Sequence, residues 1–165
     1  MRIAIVSDTH SRHRTVSKAL ALIEAHDVSA ILHCGDIEDA ETVRLFRQFP
    51  THFVLGNCDS DSPELRHAID ESGATLQEPF GNLEMDGKKI AWLHGDDLRL
   101  FREVERSGHF DYLFYGHSHH PEQHRTGPTL VVNPGALHRA TVKSFVVLDL
   151  ATGKLESVPV EMSRQ

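Results

Sequence analysis

Five short clusters carry the residues of this chain whose types and spacing can do chemistry: SDTH at 7–10, HCGD at 33–36, GNCD at 56–59, HGDD at 94–97 and GHSH at 116–119. Together they supply Asp8, His10, Asp36, Asn57, His94, His117 and His119. That is a set of nitrogen and oxygen donors without thiolate, and it suits borderline divalent cations better than soft ones. Asp8 and His10 are two residues apart, as are His117 and His119, so in extended chain each pair points the same way and can face one point. Seven donors exceed one tetrahedral site. If one carboxylate bridges, they serve two cations of four protein ligands each, with room left for water. A lone Asp or His after a strand is usually a helix cap or a solvated loop residue. Five such clusters in succession ask for a shared cause.

The elements that must position them are legible in the apolar runs. IAIV precedes the first cluster, SAIL the second, HFVL the third, IAWL the fourth and YLFY the fifth. Each run is apolar at consecutive positions, the signature of a parallel strand covered on both faces. Helical stretches are expected at residues 15–25, 40–49, 63–72 and 97–107, and helices between strands imply βαβ units. In the first, Val16, Ala19, Leu20, Leu22 and Ile23 share a core-facing side. Every cluster then lies at the carboxyl end of a strand, the edge of an α/β sheet where ligands bind. After YLFY, the short runs PTLVVN, SFVVLDL and KLESVPV, split by turns such as ATGK, predict an antiparallel meander and hence a mixed sheet or two packed sheets.

Bulk properties narrow the function. The 165 residues read as one domain, 1–165, without a repeat, low-complexity tract or dividing linker. Twenty-four acidic residues against 17 Lys and Arg give a net charge of −7, which argues against a broad nucleic-acid surface. A small anionic substrate remains compatible, because bound cations supply positive charge that residue counts omit. The apolar runs are too short for a secretory core or a membrane span, and Cys34 and Cys58 match no disulfide or zinc spacing, so a cytoplasmic protein with reduced thiols is expected. Of the 13 histidines, His26, His52, His67, His109, His124 and His138 have no partner pattern and are expected at the surface.

With Asp8-Thr9-His10, Gly35-Asp36, Gly56-Asn57-Cys58-Asp59, His94-Gly95 and Gly116-His117-Ser118-His119 on the page, together with NPGALHR at 133–139, the chain resembles the calcineurin-like metallophosphoesterases over roughly residues 1–139. It is most similar to their small, cap-less bacterial and archaeal phosphodiesterase branch, to which the retromer scaffold subunit is related. The resemblance implies an α/β fold, a four-layer αββα sandwich with two mixed sheets flanked by helices. It implies two divalent cations, Mn2+ by preference with Ni2+, Fe2+ or Zn2+ as alternatives. Asp8, His10 and His119 would hold one, Asn57, His94 and His117 the other, and Asp36 both. Asp36, Asn57 and His94 thereby become the catalytic set. The implied reaction is hydrolysis of a small phosphoester, most simply a phosphodiester, by a hydroxide bridging the two cations.

Two positions depart from the family pattern. Cys58 stands where many relatives carry a histidine that contacts the phosphate or protonates the leaving group, and a thiol is a weak donor. Asp96 stands where many carry another histidine. Substrate contacts are expected from Asn57, Cys58, His13 and Arg139, the last by a guanidinium fork. His33 is expected to be buried behind the site and His120 to lie near it. The alternative class is a metal-binding interaction scaffold of the same fold without turnover. A nuclease would need a basic or aromatic track that the acidic balance does not offer. A homo-oligomer is possible but not indicated.

Overall fold

Alternate residues of β1 (Arg2–Val6) enter two different cores: Ala4 and Val6 pack under helices, while Ile3 and Ile5 face a second sheet. β2 (Ala30–His33) divides in the same way, with Ile31 on the helix side and Ala30 and Leu32 between the sheets. This period-two sorting explains why the runs are apolar at every position: both faces are covered. The computed structural model describes residues 1–161.

The first sheet takes in β3 (Thr51–Phe53), the two-residue β4 (Thr75–Leu76), β10 (Ser144–Asp149) and β11 (Lys154–Pro159), in the order β11-β10-β1-β2-β3-β4. Pairings β1–β2, β2–β3 and β3–β4 are parallel. Their crossovers hold α1 (His13–Ala25), α2 (Ala40–Leu45) and α3 (Pro63–Glu71), which share one core cluster with the sheet. The second sheet runs β5 (Gly81–Met85), β6 (Lys88–Leu93), β7 (Tyr112–Tyr115), β9 (Thr129–Asn133), β8 (Glu122–Thr126). Ile90, Trp92, Tyr112 and Phe114 face the first sheet, whereas Ala91, Leu93, Leu113 and Tyr115 face Val104 of α4 (Leu98–Arg106). Helix, sheet, sheet, helix: the αββα sandwich is present.

The elements differ from expectation where local chemistry is decisive. The stretch at 40–49 is α-helical only to Leu45, continues as a 3-10 turn over Phe46–Gln48, and ends with extended Phe49, the conformation that Pro50 imposes on its predecessor. Asp97 is not helical; its carboxylate caps α4 by accepting from Arg99 N and Leu100 N, both at 3.0 Å. The predicted antiparallel pairing holds for β10 with β11 across the ATGK turn, but the continuous meander is corrected. β9 pairs parallel with β7, its antiparallel partner is β8, and β10 leaves for the other sheet to pair with β1. The strands β4, β5 and β8 were not signalled by apolar runs. They are edge strands, and β8 keeps almost every side chain exposed.

Candidate metal centre

The clusters do sit at strand carboxyl ends, but at two sheets rather than one: after β1, β2 and β3 of the first sheet and after β6 and β7 of the second. The facing sheets bring all five together at one end of the sandwich. Backbone bonds lace the loops to each other. Asp8 N donates to Gly35 O (3.1 Å), His10 N to Asp36 O (3.0 Å) and Gly116 N to His94 O (2.9 Å).

The loops are not extended chain. Asp8, His10, Asp36, His117 and His119 all have φ between 44° and 67°, in the left-handed region where a side-chain-bearing residue is uncommon. Each strand thus ends in tight turns, and the two-residue spacing works through turn geometry instead of strand alternation. His117 and His119 consequently part company. The His119 Nε2 lies 3.1 Å from Asp8 Oδ1, whereas the His117 ring packs edge-on against His94 at 5.1 Å between centroids. Gly116 must stay without a side chain between them, since a Cβ there would fall 1.9 Å from Ser7 Oγ and 2.6 Å from Asp8 Oδ2.

Hydrogen bonds fix which imidazole nitrogen is bare. His94 Nδ1 donates to the Cys34 carbonyl (2.8 Å), so the proton sits on Nδ1 and Nε2 turns toward Asn57 Oδ1 (2.9 Å) and Asp36 Oδ2 (3.3 Å). His10 Nδ1 donates to Glu38 Oε1 (2.6 Å), leaving Nε2 toward Asp36 Oδ2 (3.4 Å) and Asp8 Oδ1 (3.8 Å). His10 Nε2 and Asp8 Oδ1 are buried without any hydrogen-bond partner. A lone pair and a carboxylate oxygen buried facing each other are costly unless a cation lies between them. Ligand atoms of Asp8, His10, Asp36 and His119 all fall within 4.8 Å of one another, a grouping able to hold a metal ion. An outer carboxylate or carbonyl on each ring, as Glu38 and Cys34 provide here, is the usual arrangement behind a metal-ligating histidine.

Electrostatics without a cation show the same strain. Burial pushes Asp8 up, only partly offset by its bond from Ser7 Oγ at 2.5 Å and by nearby His94 and His119. Asp36 resists burial because His94 and the Cys58 N–H (2.9 Å) hold its carboxyl down at about 2. Burial would lower His94, yet Asp36 draws it up to about 9.

Behind these residues lies Asp59. Its carboxylate accepts four backbone N–H groups, from Asp36 (2.9 Å), Ile37 (2.7 Å), Glu38 (2.7 Å) and Gly56 (2.8 Å), clasping the second and third loops together. Glu38, held by that clasp at φ 76°, reaches back to His10. Neither role was anticipated; the signals available were only their places inside or next to the clusters. Glu38 and Cys58 also approach His10 closely enough to form a second potential metal grouping.

A cleft of about 340 Å³ opens over the centre, lined by His10, Asp36, Asn57, Cys58, His117, Ser118, His119, His120 and Arg139. Residues 1–153 match the family of the calcineurin-like phosphoesterase superfamily domain. The chain belongs to that superfamily. It is 28% identical over 138 residues to phosphodiesterase MJ0936 of Methanocaldococcus jannaschii, covering 82% of this chain and 83% of that protein. Its fold is similar to that of a solved archaeal phosphodiesterase, with a TM-score of 0.89, 24% identity, and 96% and 99% of the two chains covered. Zinc-bound Vps29 of Entamoeba histolytica has the same fold at a TM-score of 0.67 and 20% identity, over 98% and 100% of the two chains.

Around this superfamily core the remaining histidines find their places. His33 is buried as expected: Gly35 N donates to its Nδ1 (3.2 Å), and its Nε2 meets Thr9 Oγ1 (3.1 Å). His13, at the start of α1, is held by both carboxylate oxygens of Asp39 (3.2 and 3.0 Å) and is not part of the cleft lining. His138 is not a bare surface residue. Its ring lies 5.4 Å from that of His10 and receives the Arg12 guanidinium, with Nε to Nδ1 at 3.2 Å. His52 is half-buried, bonded to Thr75 Oγ1 at 2.7 Å. Among the described residues no helix is long and apolar enough to cross a membrane.

Proposed function

We propose that this chain is a divalent-metal-dependent phosphodiesterase for a small substrate, with Mn2+ the expected cation. One ion would be held by Asp8, His10, His119 and Asp36, the other by Asp36, Asn57, His94 and His117. The observation that carries this reading is the pair of buried atoms without a hydrogen bond, His10 Nε2 and Asp8 Oδ1, aimed at the point where Asp36 and His119 also converge. When bound, two such cations supply Lewis acidity that acidifies a water and neutralises the non-bridging phosphate oxygens.

The chain's own residues then have distinct tasks. Glu38 and the Cys34 carbonyl hold protons on Nδ1 of His10 and His94, keeping each Nε2 bare toward the centre. Cys58 N–H fixes Asp36 by one oxygen, Oδ1, and leaves Oδ2 for the centre. Asn57, Cys58 and Arg139 line the cleft and are the proposed substrate contacts. His13, engaged by Asp39, is left out of that set. The diester preference is supported by the archaeal phosphodiesterases that the chain resembles. A cytoplasmic setting fits two free thiols.

The test is hydrolysis of bis-p-nitrophenyl phosphate beside p-nitrophenyl phosphate by chelator-stripped protein resupplied with Mn2+, Ni2+ or Zn2+. Faster diester turnover restored by a cation is expected. A dominant monoesterase rate overturns the diester assignment, and silence with every cation despite measured metal binding favours a scaffold.

A further inference from the structure

Arg139 is the one arginine or lysine among the residues lining the cleft. It is exposed, and among the described residues no carboxylate forms an ion pair with it. Its chain neighbour His138 fixes a second guanidinium: Arg12 spans that ring, Nε to Nδ1 at 3.2 Å and the terminal nitrogen to Nε2 at 3.4 Å. Arg12 likewise has no carboxylate partner among the described residues. Glu38 and Asp39, which follow the second cluster, are engaged elsewhere, Glu38 by His10 and Asp39 by His13 and the Thr42 N–H. One arginine without a carboxylate partner therefore lines the cleft, and a second lies beyond its lining, joined to His10 through His138, in a protein whose net charge is −7.

Their distance from the centre decides what they serve. On the phosphodiesterase reading the scissile phosphate would sit in the cleft over the proposed cations, one of which takes the point where Asp8, His10, Asp36 and His119 converge. Arg12 is linked to the centre through His138, whose ring it contacts and whose centroid is 5.4 Å from that of His10. A guanidinium there meets a substituent of the substrate, and its planar fork matches phosphate or carboxylate oxygens. Resting on the phosphodiesterase reading above, we infer that Arg139 and Arg12 form a second anion subsite. The substrate class is then a phosphoester bearing a further phosphate-like group a few bonds from the scissile one.

The test separates this subsite from the chemistry. Mn2+-loaded protein is titrated calorimetrically with propylphosphonate and with propane-linked and hexane-linked bisphosphonates, which it cannot hydrolyse, while bis-p-nitrophenyl phosphate turnover is measured in parallel. One bisphosphonate is expected to bind at least about tenfold tighter than the monophosphonate, and Arg139→Gln or Arg12→Gln should cut that preference to about twofold. Equal affinities in the wild type, or a preference that survives both substitutions, overturn the subsite even if turnover is normal. Absence of turnover with every cation removes the reading on which the subsite rests.

Discussion

His10 Nδ1 and Glu38 Oε1 lie 2.6 Å apart, and Glu38 reaches that position from a left-handed backbone held by Asp59. A glutamate kept at φ 76° is strained, so its carboxylate is being placed. It orients the His10 ring and keeps Nε2 free for the centre. Glu38→Ala is expected to weaken Mn2+ binding by about 10- to 100-fold, with Glu38→Gln closer to wild type because its amide oxygen can still accept. Competition against a chromogenic chelator measures this. Unchanged affinity in the alanine variant would remove Glu38 from the site.

Asp59 holds two loops by four N–H groups, and its removal leaves those donors facing no acceptor. Asp59→Ala should destabilise the protein by about 3 kcal/mol, allowing for partial rescue by water. Denaturant unfolding checks it. A change below about 0.5 kcal/mol, the range of ordinary surface substitutions, would contradict the clasp.

His33 supplies a pH dependence in the metal-free protein. Gly35 N already donates to its Nδ1, and burial lowers its pKa from 6.5 to about 3, Asp36 only partly countering. The folded state therefore refuses a proton that the unfolded state accepts below pH 6.5. Stability from this group is complete above 6.5 and falls with pH down to about 3. By about pH 5 the loss is about 2 kcal/mol. His33→Gln should flatten that part of the stability curve, and an unchanged acid slope would refute the assignment.

Cys58 lines the cleft as a protonated thiol, its pKa raised by burial and then by Asp36, Glu38 and Asp59. Such a group is a poor proton donor to an alkoxide. Cys58→His is expected to raise turnover of alkyl phosphodiesters by up to about 10²-fold, with a much smaller gain for p-nitrophenyl esters, whose leaving group needs no proton. Equal gains for both would show that Cys58 does not occupy the leaving-group side.

Much of this architecture was legible because covered strands such as 3–6 and 112–115 are apolar on both faces, and because each is followed directly by donors. The donor set itself needed no contact information. What the sequence hid had physical reasons. Edge strands such as β8 bury too little to show a pattern, and β10 joins a distant partner, β1. Loop turns at Asp8, His10, His117 and His119 are left-handed without glycine, so spacing misdescribed how their side chains converge. The pairing of His138 with Arg12, and of Glu38 with His10, joins residues that no local motif links.

The central claim, that hydrolysis belongs to a two-cation centre hinged on Asp36, is tested most directly by the rate of bis-p-nitrophenyl phosphate hydrolysis as Mn2+ is added back to stripped protein. Expected are no rate in the stripped protein, a plateau near two equivalents per chain, and no recovery in Asp36→Asn. Full activity in the presence of excess chelator, or in Asp36→Asn, would contradict it.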